Sequence, residues 1–368
     1  MKRSFIREIL ESIDENTISF AGGLPSENLF PIEDLKLATN KIFENPKVFQ
    51  YGISNGITEL REKIASSYTK EGFPTTKENI LITTGSQQAM YILAKFFENR
   101  NVCIEEPSYL GAMNIFILNN LTMQGIKLEN NGIDINGFEK SFSKTKLAYL
   151  IPDFQNPSAS TYSEEKRNEI ARIIEKYDGI LIEDSPYSEL YFEKKFKSIS
   201  SQIPKNSFHL GSFSKTLAPS LRIGWIRADE ELLKSLMIIK ESIDLHSCGI
   251  SQYILNEYLK DEDKYNKHLQ NIRDDYARKA EFFSKQLTLN LPEFFHELPK
   301  GGMFLYGKFT TNINSFELVQ KCLEKKVVFV PGNQFYIDKV PNSEIRFNYS
   351  HSTFEQIEKG IKLIRSCL

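Results

Sequence analysis

Short apolar runs alternate with stretches of helical spacing through the middle of the chain. Asn79–Thr83 reads as a strand, and a helix follows from about Ser86 to Glu98. Val102–Glu105 reads as the next strand, a helix opens near Tyr109, and a further strand lies near Gly125–Leu128. Leu147–Ile151 is a strand. Glu164–Tyr177 places apolar residues at Ile170, Ile173, Ile174 and Tyr177, which predicts a helix with one buried face. Gly179–Glu183, Phe208–Ser212 and Ile223–Arg227 complete the series of strands. Apolar strands separated by helices predict a largely parallel sheet covered on both faces.

Beyond about residue 230 the pattern changes. Helices are expected over Glu230–Ile243 and about 250–288, followed by a β-rich segment at Gly302–Phe309, Val327–Val330 and Glu344–Tyr349. A closing helix runs from Phe354 to Cys367. The fold class is therefore α/β, with a large domain over about 45–245 and a smaller α+β domain made of 246–368 and the N-terminal arm 1–44. The opening segment, 1–17, has no continuous apolar run and predicts a short amphipathic helix rather than a signal peptide.

In open α/β sheets, ligands sit at the carboxyl ends of the strands. Five polar clusters fall at such ends. They are Thr84-Gly85-Ser86-Gln87, Glu106-Pro107-Ser108-Tyr109, Asp153-Phe154-Gln155-Asn156-Pro157, Glu183-Asp184-Ser185-Pro186-Tyr187 and Ser212-Phe213-Ser214-Lys215. Each alone is a weak signal; together they predict a site.

Composition narrows the class. The chain has 368 residues, 40% hydrophobic and 26% charged, which suits a globular protein with a substantial core and excludes disorder. Lys and Arg number 46 against 48 Asp and Glu, with no basic block, so neither nucleic acid nor a membrane surface is an expected partner. No apolar run is long enough for a membrane span. Cys103, Cys248, Cys322 and Cys367 lack metal or redox spacing and read as reduced thiols of a cytoplasmic protein. The histidines are scattered without H-E-x-x-H spacing, so no metal is expected.

The clusters suggest chemistry, each beside a plainer explanation. Gly85-Ser86 between a strand and a helix suits an anion at the helix start, or simply a capped helix. Ser212, Ser214 and the later Arg222 form a candidate phosphate cradle, and Lys215 beside them could form a Schiff base if its amine is depressed. Lys215 could equally be an exposed loop lysine. Asp184 ends an apolar strand and needs a cationic or hydrogen-bonding partner, either a protonated ring nitrogen or a turn. Tyr187 and Asn156 could reach the same ligand, and Tyr109 could stack on a flat ring; ordinary packing and turn roles also suit them. One ligand with a carbonyl, a pyridinium, a phosphate and a flat ring would satisfy the whole set, and pyridoxal 5'-phosphate has all four. Phe20 and Phe335 are candidates for lining a substrate pocket.

The sequence resembles the fold-type I, pyridoxal-phosphate-dependent aminotransferases of class I and II, and within them the 2-aminoadipate and kynurenine aminotransferase branch. That branch's fold also forms the catalytic-like part of MocR-type regulators. The resemblance is carried by the five clusters and by Ser19-Phe20-Ala21-Gly22-Gly23-Leu24-Pro25-Ser26, Tyr51-Gly52, Gly56 and Leu60-Arg61. Later segments extend it: Leu221-Arg222-Ile223-Gly224-Trp225, Pro299-Lys300-Gly301-Gly302-Met303-Phe304, Pro331-Gly332 with Phe335, and Arg346-Phe347-Asn348-Tyr349-Ser350.

The resemblance implies a role for each residue. Lys215 resembles the lysine that holds the cofactor covalently and acts as nucleophile and general acid–base. Asp184 resembles the aspartate that keeps the ring nitrogen protonated. Tyr187 and Asn156 resemble the pair on the ring's phenolic oxygen, and Tyr109 the stacked aromatic. Ser86, Gln87, Ser212, Ser214 and Arg222 resemble the phosphate cup. Tyr51 resembles a tyrosine that reaches the neighbouring subunit's phosphate, which implies a homodimer with shared sites. Arg346 resembles the arginine that binds the substrate α-carboxylate, with Gly23 and Asn156 beside the substrate. The implied reaction moves an amino group from an amino acid to a 2-oxo acid, 2-oxoglutarate, in ping-pong fashion. One departure stands out. The family has glycine shortly after Asn-Pro-Thr/Ser, where this chain has Ala159. If that position needs positive φ, alanine strains it by roughly 1 kcal/mol or more.

Other readings compete. A β-lyase or decarboxylase would use the same groups. A non-catalytic sensing module is the second alternative; Ser19-Phe20-Ala21-Gly22-Gly23 opening so early, with Lys215 and Arg346 retained, favours an enzyme. Ser212-Phe213-Ser214-Lys215 also matches the S-x-x-K of serine acyl enzymes, but neither S-D-N nor K-T-G follows.

Overall fold

The computed structural model describes residues 14–368. The helix expected over 1–17 lies outside them except for its end, 14–17, which forms a turn.

The chain enters through a two-residue strand, β1 (Ile18–Ser19). β2 (Ile80–Thr83), β3 (Asn101–Glu106), β4 (Thr122–Glu129), β5 (Gly132–Ile133), β6 (Leu147–Leu150), β7 (Ile180–Asp184), β8 (Ser207–Ser212) and β9 (Gly224–Arg227) form one sheet. Its order is β2-β9-β8-β7-β6-β3-β4-β5. β3, β4, β6, β7 and β8 pair in parallel, as the apolar runs and intervening helices require. β6 and β8 are buried at every position, as is β7 after its first residue. The sheet is not parallel throughout: β9 is antiparallel to both β2 and β8. The link from Phe213 to Ile223 is too short to carry a crossover helix, so the chain turns straight back. β2, beyond β9, thus points the same way as β8, and all five polar clusters lie at one edge of the sheet.

A second, antiparallel sheet contains β10 (Phe294–His296), β11 (Phe304–Phe309), β13 (Val330–Pro331) and β14 (Glu344–Asn348), in the order β10-β11-β14-β13. β12 (Val327–Val328) pairs in parallel with β1, a contact the sequence pattern did not announce. It continues through Phe20 N donating to Val328 O and Asn348 N donating to Phe20 O, both at 2.8 Å. Phe20 itself is core, not pocket lining: it is fully buried, edge-on to Phe283 at 5.0 Å and Phe347 at 6.1 Å. Its anchoring fixes Ala21–Gly23 near the sheet edge that carries the clusters.

The loop after β6 is pinned by buried polar groups. Arg167 pairs with Asp153 at 2.6 Å and also donates to the carbonyls of Pro152 and Tyr162. Gln155 donates to Glu105 Oε2 at 3.0 Å and to Pro107 O at 2.9 Å. Ala159 closes the loop by donating its N–H to Gln155 O at 2.7 Å, with φ at +58°. The position therefore does require left-handed backbone, and alanine meets that requirement under strain. Left-handed geometry costs an L-residue about 1–2 kcal/mol, and glycine's extra freedom when unfolded offsets about 0.4–1 kcal/mol of any gain. Ala159→Gly should therefore stabilise the protein by about 0.5–1 kcal/mol, read as a raised denaturant midpoint; a lowered midpoint would contradict the strain.

Candidate active site

Lys215 follows β8 on a partly buried turn. Ser212 Oγ accepts from Ser214 N at 3.1 Å, which shapes that turn. The Lys215 amine donates to Gly23 O at 2.7 Å, so the N-terminal arm and the end of β8 meet there. Burial, with the nearby Arg222 and Arg346 charges, pushes its pKa down to about 8. That makes it a better nucleophile near neutral pH than an exposed lysine. Gly23 is tightly bounded as well: a Cβ there would come within 3.1 Å of Phe304 and 4.0 Å of the Lys215 amine.

Asp184 ends β7 and is almost fully buried. Its Oδ2 accepts from the Tyr149 hydroxyl at 2.7 Å, whereas Oδ1 is buried with no hydrogen-bond partner among the described residues. Burial raises the carboxyl to about 6 and the Tyr149 bond acts against that rise. Neighbouring buried acids are spent on the fold. Glu105 accepts from Ile151 N, Gln155 Nε2 and Tyr162 OH; Glu183 accepts from the amides of Ile199 and Ser200. Asp184 is thus the site acid that keeps an oxygen open for a cationic partner.

Asn156 links two sides of the site. Its Nδ2 donates to Tyr187 OH at 3.4 Å, and its Oδ1 accepts from Arg346 Nη1 at 2.7 Å. Arg346 lies on β14 between its partners Tyr306 and Val330. Its Nη2 donates to Ala21 O, and its Nε is buried without a partner. The guanidinium stands 4.3 Å from the Phe304 ring centre and 5.0 Å from that of Phe335. Phe335 is itself fully buried and lies against the Arg346 guanidinium. Tyr109 is partly buried and within electrostatic reach of Tyr187 and Arg346.

The candidate phosphate cup forms where β2, β8 and β9 come together. Ser86 opens the helix Ser86–Phe96, with Gly85 before it at φ +78°. Arg222 donates to Ser214 Oγ at 3.4 Å and to Thr84 O at 3.2 Å. The fit depends on absent side chains: a Cβ on Gly85 would meet Arg222 Nη2 at 2.5 Å, and one on Gly224 would meet Gly85 C at 2.7 Å. The close approach leaves helix-start N–H groups and a guanidinium side by side, a donor set for an anion.

Some expected residues carry exposed side chains. Gln87 is exposed on the helix surface. Tyr51 is 79% exposed, its ring edge-on to His246 at 5.9 Å. Three members were not anticipated. Tyr149 sits in an otherwise aliphatic strand, and that lone hydroxyl was its signal. Phe304 follows Gly302-Met303 with nothing to distinguish it from a core ring. Glu105 was legible only as an acid inside an apolar run.

The geometry fits pyridoxal phosphate: an amine of depressed basicity, an orphaned buried carboxylate oxygen, an anion cup and an arginine between aromatic rings. Comparisons agree. The family described as aminotransferase class I and II matches residues 16–364. An aromatic-amino-acid aminotransferase of Thermococcus litoralis is 33% identical, over 98% of this chain and 90% of that protein. A 2-aminoadipate transaminase of Thermus thermophilus is 31% identical, over 100% and 94%. The solved structure of Pyrococcus horikoshii kynurenine aminotransferase, 31% identical, superposes with a TM-score of 0.93 over 100% of this chain and 94% of that one. This chain belongs to the class I and II aminotransferases.

Proposed function

We propose that the residues around Lys215 transfer the α-amino group of an amino acid to a 2-oxo acid, with pyridoxal phosphate as cofactor. The observation that carries this reading is that the depressed Lys215 amine and the open Oδ1 of Asp184 follow from neighbouring parallel strands, β8 and β7. When bound, pyridoxal phosphate supplies an aldehyde for amines and a ring that accepts the electron pair left by a departing α-proton. Lys215 would hold the cofactor and, once displaced by the substrate amine, take the proton from the substrate α-carbon and deliver it to the cofactor carbon that had carried the aldehyde. Asp184 Oδ1 would keep a proton on the ring nitrogen. Asn156 and Tyr187 would hold the phenolic oxygen, and Ser86, Ser212, Ser214 and Arg222 the phosphate. Arg346, already held flat by Phe304 and Phe335, would grip the substrate α-carboxylate.

The related proteins named above act on aromatic amino acids, 2-aminoadipate and kynurenine. With aromatic rings beside Arg346, they support a donor with a large side chain and 2-oxoglutarate as acceptor. We assign the chain to the cytoplasm on composition; no helix among the described residues is long and apolar enough to cross a membrane. We also propose a homodimer. Phe43, Phe49, Tyr51, Ile53 and Leu245 all expose apolar surface, which supports a face covered by a second copy. Tyr51 would then reach the phosphate of the partner subunit.

Four outcomes test this. Borohydride should trap the cofactor on Lys215 as a stable secondary amine, read by the mass of the peptide that carries Lys215. Lys215→Ala should lose trapping and transamination; full activity would sink the assignment. Arg346→Lys should raise KM for the amino donor about ten- to hundred-fold, matching loss of about 1.5–3 kcal/mol of charged hydrogen bonding, with cofactor affinity unchanged. Mixing Lys215→Ala with Tyr51→Ala subunits should give more activity than either alone, measured as oxo-acid release; no gain would argue against shared sites.

A further inference from the structure

Tyr149 has no part in the reading above, yet it touches the acid on which that reading turns. It lies on β6, paired with Ile182 of β7, and its side chain is fully buried. Phe116 packs edge-on against its ring at 5.3 Å, which fixes where the hydroxyl points. Its neighbours in the strand, Leu147, Ala148 and Leu150, offer no polar atom in their side chains. A buried phenol of this kind needs a partner, and the partner is Asp184 Oδ2 at 2.7 Å.

We propose that Tyr149 is a positioning residue: it locks Asp184 Oδ2 so that Oδ1 faces the ring nitrogen of pyridoxal phosphate. The proposal rests on the role given to Asp184 above. A carboxylate can turn about its last bond. With one oxygen tied to a rigid phenol on the adjacent strand, the other cannot rotate away or be shared. The nearby Glu105 is engaged by Ile151, Gln155 and Tyr162, and Tyr187 receives the Asn156 amide. The bond also has a fixed polarity. Burial and the adjacent carboxylate raise the Tyr149 hydroxyl far above its ordinary range, so it remains a donor. Its donation works against the rise that burial imposes on Asp184.

The test separates this role from general packing. Apoenzyme is titrated with pyridoxal phosphate and with its carbon analogue, in which C–H replaces the ring nitrogen. The wild type should prefer pyridoxal phosphate by ten-fold or more. Tyr149→Phe removes one oxygen and keeps the ring against Phe116. It should weaken pyridoxal phosphate about ten-fold, some 1.4 kcal/mol, and leave the analogue within two-fold. Equal losses for both ligands, or none for either, would overturn the proposal. If Tyr149→Phe does not fold with a bare buried carboxylate, Tyr149→Phe/Asp184→Ala removes that liability. The double variant should then match Asp184→Ala alone for both ligands, and a further loss of pyridoxal phosphate affinity would overturn the proposal. A wild type that binds both ligands equally would instead remove the role of Asp184 itself.

Discussion

A carboxylate at the end of a buried strand is the constraint around which this molecule is arranged. Asp184 is almost fully buried at the end of β7, beside β6 and β8. Desolvation penalises its charge, so every unmade hydrogen bond on it carries a cost. The fold satisfies one oxygen with a neutral phenol and leaves the other open. It also satisfies the neighbouring Glu105 and Glu183 completely, with amides and hydroxyls. Among these three acids, the surrounding structure leaves unmet demand at one oxygen, Asp184 Oδ1.

The cations complete this arrangement without cancelling it. Lys215 donates to Gly23 O and Arg346 to Asn156 and Ala21, so neither forms an ion pair with Asp184. Arg222 and Arg346 instead make the Lys215 amine easier to deprotonate. Were Lys215 paired with Asp184, its basicity would rise and its value as a nucleophile would fall. The N-terminal arm enforces the separation. Pairing of β1 with β12, followed by the buried Phe20, sets the Gly23 and Ala21 carbonyls as the acceptors the two cations need. A segment that looks peripheral in the sequence therefore supplies part of the site's electrostatics.

Much of this was legible beforehand, because it depends on short-range chemistry. The alternation of strands and helices, the polar clusters at strand ends, and the order of Asp184, Lys215, Arg222 and Arg346 along the chain all predict an anion cup, a buried acid and a reactive amine at one edge. Other parts were not legible. Asp153 belongs to one of the clusters, but it is consumed by Arg167 as a loop anchor. Phe20 could serve as core or as pocket lining by its position, and it is core. Gly85 and Gly224 both occur near strand ends, but only the crossing of β2, β8 and β9 shows that side chains there would collide.

The sequence by itself determined the fold class and the family, and it named the candidate reactive groups. Periodicity, strand-end polarity and residue order are local properties that survive in one dimension. Only the tertiary structure decided which polar groups are already satisfied and which are left open. Tyr149 and Asp184 are separated by a whole helix in the chain and become partners only because β6 and β7 lie side by side. Hydrogen-bond satisfaction and burial belong to packed neighbours, and the register between strands is what chooses them.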